Sequence, residues 1–480
     1  MKRILSVLLA ALMLLPLAAC GGMGDDDAAE ITTAVTAEVT TTAEDTYVYD
    51  GLPENNYNGA RMHILTTTWY QAKTYIYAES LNGEVINDAL YEQRSVISDR
   101  FNVAIDLTSN DAQNIVASNV DKMVLAGDDT YDMVFNHDLL TVGNALRGDF
   151  INILNINNID FGKPWWKGST DTFTVNGKLL FTANHFALSG IYMNYMLAYN
   201  KDIAAAHNIE IPYDDVRAGE WYLEDLIGLT ADIVSDIDGD GVMTDKDMYG
   251  FLTSYYGDMG MQSDLGGTVI SKDGDGYLVF EYDLDRIVAI MEAVERLYEN
   301  GTNKYGASNE YGADLFMRNQ GLFTFSEARV LYEKVRTSDV VYGIMPFPKF
   351  DELQEEYRSS GCDIYWGILV PAAGRAEMIA TLAVAMSCYN YNNVVPKVWE
   401  LVLGSKLSDS PDDTDMFEII RDVQYVDLGY AFSGESSRLT QLCFLLQNAN
   451  SGNAASYIEA RAALADDLDK INRKFDEVVG

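Results

Sequence analysis

The chain is poor in positive charge, in histidine and in cysteine. Lysine and arginine total 33 against 73 aspartates and glutamates, a formal net charge of -40. Such a surface is repelled by phosphate backbones and by anionic headgroups, which argues against nucleic acid and against an anionic membrane surface as partners. The 4 histidines (His63, His137, His185 and His207) leave little for acid–base work. No C-x-x-C spacing suggests zinc, and neither G-x-S-x-G nor H-E-x-x-H occurs. Cys362, Cys388 and Cys443 are an odd set that cannot all pair, so buried free thiols are expected, with one pair plus a free thiol as the alternative. Beyond the first residues no long apolar run appears, so nothing else is expected to span a bilayer. Internal repeats are absent too.

What is present begins with MKRILSVLLAALMLLPLAACGG. Lys2 and Arg3 precede an apolar run, Ile4 to Leu17, shorter than the ~20 residues of a membrane helix. The run ends in LAAC at Cys20, which resembles the bacterial lipoprotein box. That resemblance implies a signal peptide at 1–19 and a lipidated Cys20 anchoring the chain to the membrane. Residues 20–57 are rich in Thr, Ala and acids and are expected to form a flexible tether. At ~150 residues per domain, the 480-residue chain holds two to three domains.

After the tether, apolar patterning predicts a strand at Met62–Leu65 and a helix whose repeat runs through Val85, Ala89, Val96 and Ile97. It then predicts a strand at Phe101–Leu107, a second helix ending at Gly127, and a strand at 131–135. This alternation predicts an α/β layer with a largely parallel sheet. Ligands of such sheets sit beyond the carboxyl ends of strands, so the loops after Leu65 and Phe135 are the first candidates for a site. TVNGKLLF predicts a hairpin turning at Asn176-Gly177. Further on, 283–301 predicts an amphipathic helix, and 365–390 a strand followed by a long buried helix.

Seven stretches, in one order along the chain, resemble the family 1 solute-binding lipoproteins of ABC importers, the maltodextrin-binding-protein-like carbohydrate binders. They are YDMVFNHD (131–138), TVNGKLLFTANHF (174–186), YNKDI (199–203), GEWYLEDLIGLTADI (219–233), NQGLFTFSEARV (319–330), YGIMPFPK (342–349) and KLSDSPDDTDMFEII (406–420). Two departures touch the sugar contacts: FSEARV lacks a tryptophan found just after that strand in several members, and Tyr222 stands where threonine is usual. The resemblance implies a type II, two-lobe periplasmic-binding-protein-like fold with the ligand between lobes. One lobe would take 58–188 plus 361–400, and the other 189–360 plus 401–480. It implies a monomer that captures a small-molecule carbohydrate, most simply an oligosaccharide, and delivers it to ABC permease subunits, with no enzymatic activity.

Sugar sites combine aromatic faces with planar polar groups. The candidates in expected loops and strand ends are Trp69, Tyr70, Asn136, Asp138, Trp165, Trp166, Tyr255, Tyr256, Glu327, Arg329 and Trp366. Trp165 and Trp166 are adjacent, so in an extended loop only one of them faces a ligand. Separately, DIDGDGVMTDKD (236–247) fits a twelve-residue calcium loop. Asp236, Asp238 and Asp240 fill positions 1, 3 and 5, Val242 offers its carbonyl, and Thr244 and Asp247 stand at positions 9 and 12. A structural Ca2+ stapling the second lobe is the expectation, with an acidic solvated turn as the plain alternative. SKDGDGYL (271–278) lacks the outer acids and reads as a hairpin turn. Two other functions stay open: a lipid-anchored glycoside hydrolase, which needs two carboxylates across a cleft, and a binder of a non-sugar solute such as a peptide.

Overall fold

Buried β-branched and aromatic runs build two sheets, and what joins them positions the site. In β1 (Ala60–Thr67) every residue from Ile64 onward is buried, as in a strand covered on both faces. It pairs in parallel with β2 (Val103–Asp111) on one side and β3 (Met133–His137) on the other. The helices between them run Val85–Phe101 and Gln113–Ala126, the second closed by Gly127 at φ 64°. The computed structural model describes residues 47–157, 159–166, 168–254, 257–302, 310–407, 410–446 and 463–478. The expected signal peptide 1–19, Cys20 and the candidates Tyr255 and Tyr256 lie outside the described residues.

The second sheet comprises β4 (Tyr195–Asn200), β5 (Tyr249–Leu252), β8 (Gly301–Thr302), β9 (Gly321–Glu327) and β10 (Tyr342–Met345), in the order β10-β4-β9-β5-β8. β4 runs antiparallel to both its neighbours, while β5 runs parallel to β8 and β9. A separate hairpin pairs β6 (Ile270–Lys272) with β7 (Leu278–Phe280), so 271–278 is the turn region expected. The chain then returns to the first sheet as β11 (Ile364–Ile368), antiparallel to β3, giving the order β11-β3-β1-β2. Beyond β11, Thr182 bridges Trp366 and extends that edge. The passages between the sheets touch one another, Asn194 bridging Gly361 and Ser359 bridging Gln424.

Three local expectations changed in the fold. Helix 85–101 buries Ala89, Leu90, Gln93, Ile97 and Phe101, whereas Val85 and Val96 are 48% and 49% exposed. Ala89 and Ile97 of the expected repeat face inward, and Gln93 takes the inward position between them, donating to Met386 O and Asn390 Oδ1. Phe101 ends that helix and does not start the strand, since Asn102 takes the left-handed cap at φ 48°. Asn176-Gly177 turns with both φ positive, as a tight hairpin requires, yet only Val175 and Lys178 pair across it. Lys178 Nζ instead donates to the carbonyls of Asp476 (3.0 Å) and Val478 (2.6 Å), closing the end of helix 464–477. The same helix docks on the β6–β7 hairpin, where Asn472 exchanges two hydrogen bonds with the Leu278 backbone.

Residues 47–57, the last part of the expected tether, lie against the first lobe. Val48 N donates to Asn392 Oδ1, Asp50 pairs with Arg100 at 2.5 Å, and Tyr57 N donates to Phe101 O.

Candidate functional site

The carboxyl ends of β1 and β3 face the end of β9, and the side chains there come from both sheets. Just after β1 the backbone turns through two left-handed non-glycine residues, Tyr70 (φ 40°) and Gln71 (φ 56°). Each such residue costs on the order of 1–3 kcal/mol, a strain found mainly where side chains must be aimed. Here it presents Trp69 and Tyr70, both half-buried, as neighbouring aromatic faces 4.7 Å apart at 68°. Trp69 also lies 4.3 Å from the His137 ring at the end of β3.

His137 Nδ1 is 2.6 Å from Asp138 Oδ1. Burial alone would lower the imidazole pKa, but the charge and hydrogen bond of Asp138 outweigh it and raise it. Asp138 is fully buried at the start of helix 138–146, with Oδ1 accepting from Leu139 N (2.7 Å) and Oδ2 from Asp363 N (3.0 Å). A carboxylate at a helix start is favoured by the partial positive charge there. Asp138 therefore ties the end of β3 to the passage preceding β11.

From the second sheet comes Arg329, 8% exposed, with its guanidinium 4.8 Å from the Tyr70 ring centre. It pairs with Glu327 (2.9 Å), Glu310 (3.2 Å) and Glu333 (3.4 Å). Burial raises the Glu327 pKa, opposed by Arg329. Burial also acts to raise Glu310, yet Lys334 and Arg329 together hold it below the usual carboxylate range. Beside this cluster Tyr75, Tyr192 and Tyr332 form a chain of rings at 5.2 and 5.9 Å. These three tyrosines were missed in the sequence: among 30 tyrosines, spacing gives no sign of which pack together.

The structure thus gathers Trp69, Tyr70, Asp138, Glu327 and Arg329, with His137. The other candidates among the described residues lie elsewhere. Asn136 is buried and donates to Gln113 O. Trp366 is enclosed by Phe135, Phe186 and Trp166, with its indole N–H on Asn184 Oδ1. Trp165 and Trp166 are both buried against one cavity of ≈ 270 Å³ beyond β11. Their turn is a 3-10 helix, Pro164–Trp166, so the extended-loop argument does not apply. Cys362, Cys388 and Cys443 are free thiols, Cys388 and Cys443 buried and Cys362 half-buried.

The loop 236–247 is closed at its base by a bridge between Ser235 and Met248. Gly239 and Gly241 take φ of 71° and 79°, which lets Asp236 accept from both backbone N–H groups at 2.7 Å. Oxygens of Asp236, Asp238 and Asp240 lie within 4.8 Å of one another, a hard-oxygen set that fits calcium. Asp247 is fully buried and held by Ile237 N, Thr244 N and Thr244 Oγ1, with its pKa lowered chiefly by the Thr244 backbone bond. Thr244 Oγ1 is thus turned towards Asp247, and the Val242 side chain is 59% exposed.

No protein-family model matches the chain, and no curated protein matches it. Solved structures do. An ABC substrate-binding protein from Listeria monocytogenes, in complex with cycloalternan, is 13% identical, covers 87% of this chain and 99% of its own, and superposes with a TM-score of 0.52. The GacH receptor of Streptomyces glaucescens, solved unliganded and with acarbose, is 11% identical over 86% of this chain and 99% of its own, TM-score 0.54. A sugar transporter from Rhizobium etli in an open conformation is 12% identical over 88% of this chain and 100% of its own, TM-score 0.56. The chain has the two-lobe α/β fold of these proteins, over nearly all of their length.

Proposed function

We propose that this chain is the solute-binding component of an ABC importer, that its ligand is a carbohydrate of more than one ring, and that it is not an enzyme. The carrying observation is the cluster between the two sheets, in which Trp69 and Tyr70 present aromatic faces beside the charged forks of Arg329 and Glu327, on a frame braced by the buried Asp138. Aromatic faces cover the apolar side of a sugar ring while the planar charged groups take its hydroxyls. Neighbours of the same fold are described with cycloalternan and with acarbose, which supports the same ligand class here. Glu327 is tied to Arg329, and Asp138 to His137 and to the backbone N–H groups of Leu139 and Asp363, an arrangement for holding a ligand and not for exchanging protons. In this reading Cys20 carries the lipid, the segment after it is a tether, and the folded part works as a monomer on the outer face of the membrane, closing its lobes on the sugar before meeting the permease.

Calorimetric titration of the full chain with linear and cyclic oligosaccharides tests this. Binding of at least one of them, weakened roughly tenfold or more by Trp69→Ala, is the expected result. A Trp69→Ala protein that binds as well as the parent contradicts the site, and no binding to any oligosaccharide contradicts the ligand class.

We also propose that loop 236–247 holds a structural Ca2+. Carboxylates of Asp236, Asp238 and Asp240 and the Val242 carbonyl would be the ligands, while Thr244 and Asp247 brace the end of the loop. The ion would neutralise three neighbouring negative charges and fix the segment entering β5.

A further inference from the structure

In the cleft one titratable ring stands between an indole and a carboxylate. His137 closes β3 and directly precedes helix 138–146. Its ring centre lies 4.3 Å from that of Trp69, and its Nδ1 lies 2.6 Å from Asp138 Oδ1. Nδ1 is sealed from solvent. The side chain is nonetheless 15% exposed, and Nε2, on the far edge of the ring, has no hydrogen-bond partner among the described residues. Asp138 is fully buried and accepts from Leu139 N and Asp363 N as well, so it offers Nδ1 an acceptor and holds a proton there. With Nδ1 protonated, Nε2 is an acceptor in the neutral ring and a donor in the charged ring. The titratable and charged groups around the pair are Tyr70 on the turn after β1, Cys362 and Asp363 on the passage before β11, Tyr365 and Tyr430 behind Asp138, and Glu327 and Arg329 across the cleft. Burial pushes the Cys362 thiol and the Tyr365 and Tyr430 hydroxyls far up, so they stay neutral. It pushes the Asp363 carboxyl up to about 7, the one neighbour that titrates in the histidine range.

We infer that His137 is a ligand contact of the cleft: its Nε2 hydrogen-bonds an oxygen of the sugar ring packed on Trp69, and it does so best as a charged donor. This rests on the reading of Trp69 as the sugar platform. At 4.3 Å from the indole, the Nε2 edge borders a ring that packs there. Asp138, with no exposed surface, acts on the ligand only through His137 and is a positioning residue. A charged donor bonds a hydroxyl more strongly than a neutral ring does. Burial acts to lower the imidazole pKa, but the charge and hydrogen bond of Asp138 hold it above the ordinary histidine value. The stronger bond is therefore complete on the acid side of that pKa and is lost as pH rises through it. By the same linkage, sugar binding near neutral pH takes up a fraction of a proton.

The test is calorimetric titration of the full chain with linear and cyclic oligosaccharides at about pH 6 and about pH 8.5, and at neutral pH in two buffers of different ionisation enthalpy. A sugar whose binding depends on Trp69 should bind roughly five- to tenfold more weakly at the higher pH, and the two buffers should report proton uptake. His137→Phe keeps a ring against Trp69 and loses both nitrogens. It should bind with one affinity at both pH values and take up no proton. Asp363→Asn should keep the parent's pH profile. Thermal unfolding shows that the variants are folded, and the parent's own profile tests the inference without any variant. Trp69-dependent binding that is equally tight at both pH values, without proton uptake, would overturn the role of His137 and leave the cleft reading intact. A profile kept in His137→Phe and lost in Asp363→Asn would assign the titration to Asp363 and overturn it too. Absence of binding by every oligosaccharide would overturn the cleft reading and this inference with it.

Discussion

Asp264 is fully buried, with one oxygen accepting from Ser360 N at 2.8 Å and the other, Oδ2, without a partner among the described residues. Burial raises its pKa to about 8, against partial relief from Ser360 and Arg358. The unfolded chain loses this proton near the ordinary carboxylate value, so between about pH 4 and 8 the folded state binds one proton more. Stability contributed by that proton is complete below pH 4 and is lost as pH rises to 8, at about 1.4 kcal/mol per pH unit. Asp264→Asn should remove one proton's worth of this slope in denaturant unfolding measured from pH 5 to 8. An identical slope in the variant would show that Asp264 is ionised at neutral pH. Arg329 is the other residue with large leverage. Removing it leaves Glu327 buried without its cation, so Arg329→Ala should cost about 3–5 kcal/mol, read as a fall in the urea midpoint. A change below 1 kcal/mol would show that the pair is solvated.

At the scale of elements, β11 depends on a missing side chain. A Cβ on Gly367 would stand 2.6 Å from the Phe150 ring, and a buried ring cannot swing aside as a flexible chain end could. Gly367→Ala should destabilise by about 1–3 kcal/mol, whereas Gly374→Ala, with open space around it, should not. Equal midpoints for the two variants would contradict the packing. The loop 236–247 makes a separate prediction: chelation should lower Tm by a few degrees, and Asp236→Ala should abolish the response to added Ca2+. An unchanged Tm in chelator would leave the loop an acidic turn held by its own backbone bonds. Elements were the most legible part of the sequence. The β-α-β-α-β order, the turn at Asn176-Gly177 and the 271–278 hairpin follow from local chemistry, and each is present. The residues that the structure gathers into one cluster are those at or just past a strand end, Trp69, Tyr70, Asp138, Glu327 and Arg329, which is the only local signal the sequence carries for them. Trp366 lies in the core, and a tryptophan in a strand looks the same in sequence whether it faces a cleft or the core. Tyr75, Tyr192 and Tyr332 meet only through long-range packing, which no local pattern encodes.

For the whole molecule, a net charge of -40 means self-repulsion that folding intensifies by bringing the charges together. Screening should relieve it. Raising KCl from about 0.01 to 0.15 M shortens the Debye length from ~30 to ~8 Å, and Tm should rise. A fall in Tm would mean that the surface ion pairs outweigh the net repulsion. The two sheets, the passages joining them and the aromatic and charged cluster between them lead to one central claim, that the lobes close on an oligosaccharide and release it unchanged. The most direct measurement is thermal unfolding of the full chain with an oligosaccharide panel, followed by recovery of the sugar. At a hundredfold excess over its dissociation constant the ligand adds about 2.7 kcal/mol, which should raise Tm by several degrees for one class of sugar, and that sugar should come back intact. Recovery of fragments would make the protein a hydrolase, and a flat Tm across the whole panel would contradict carbohydrate binding itself.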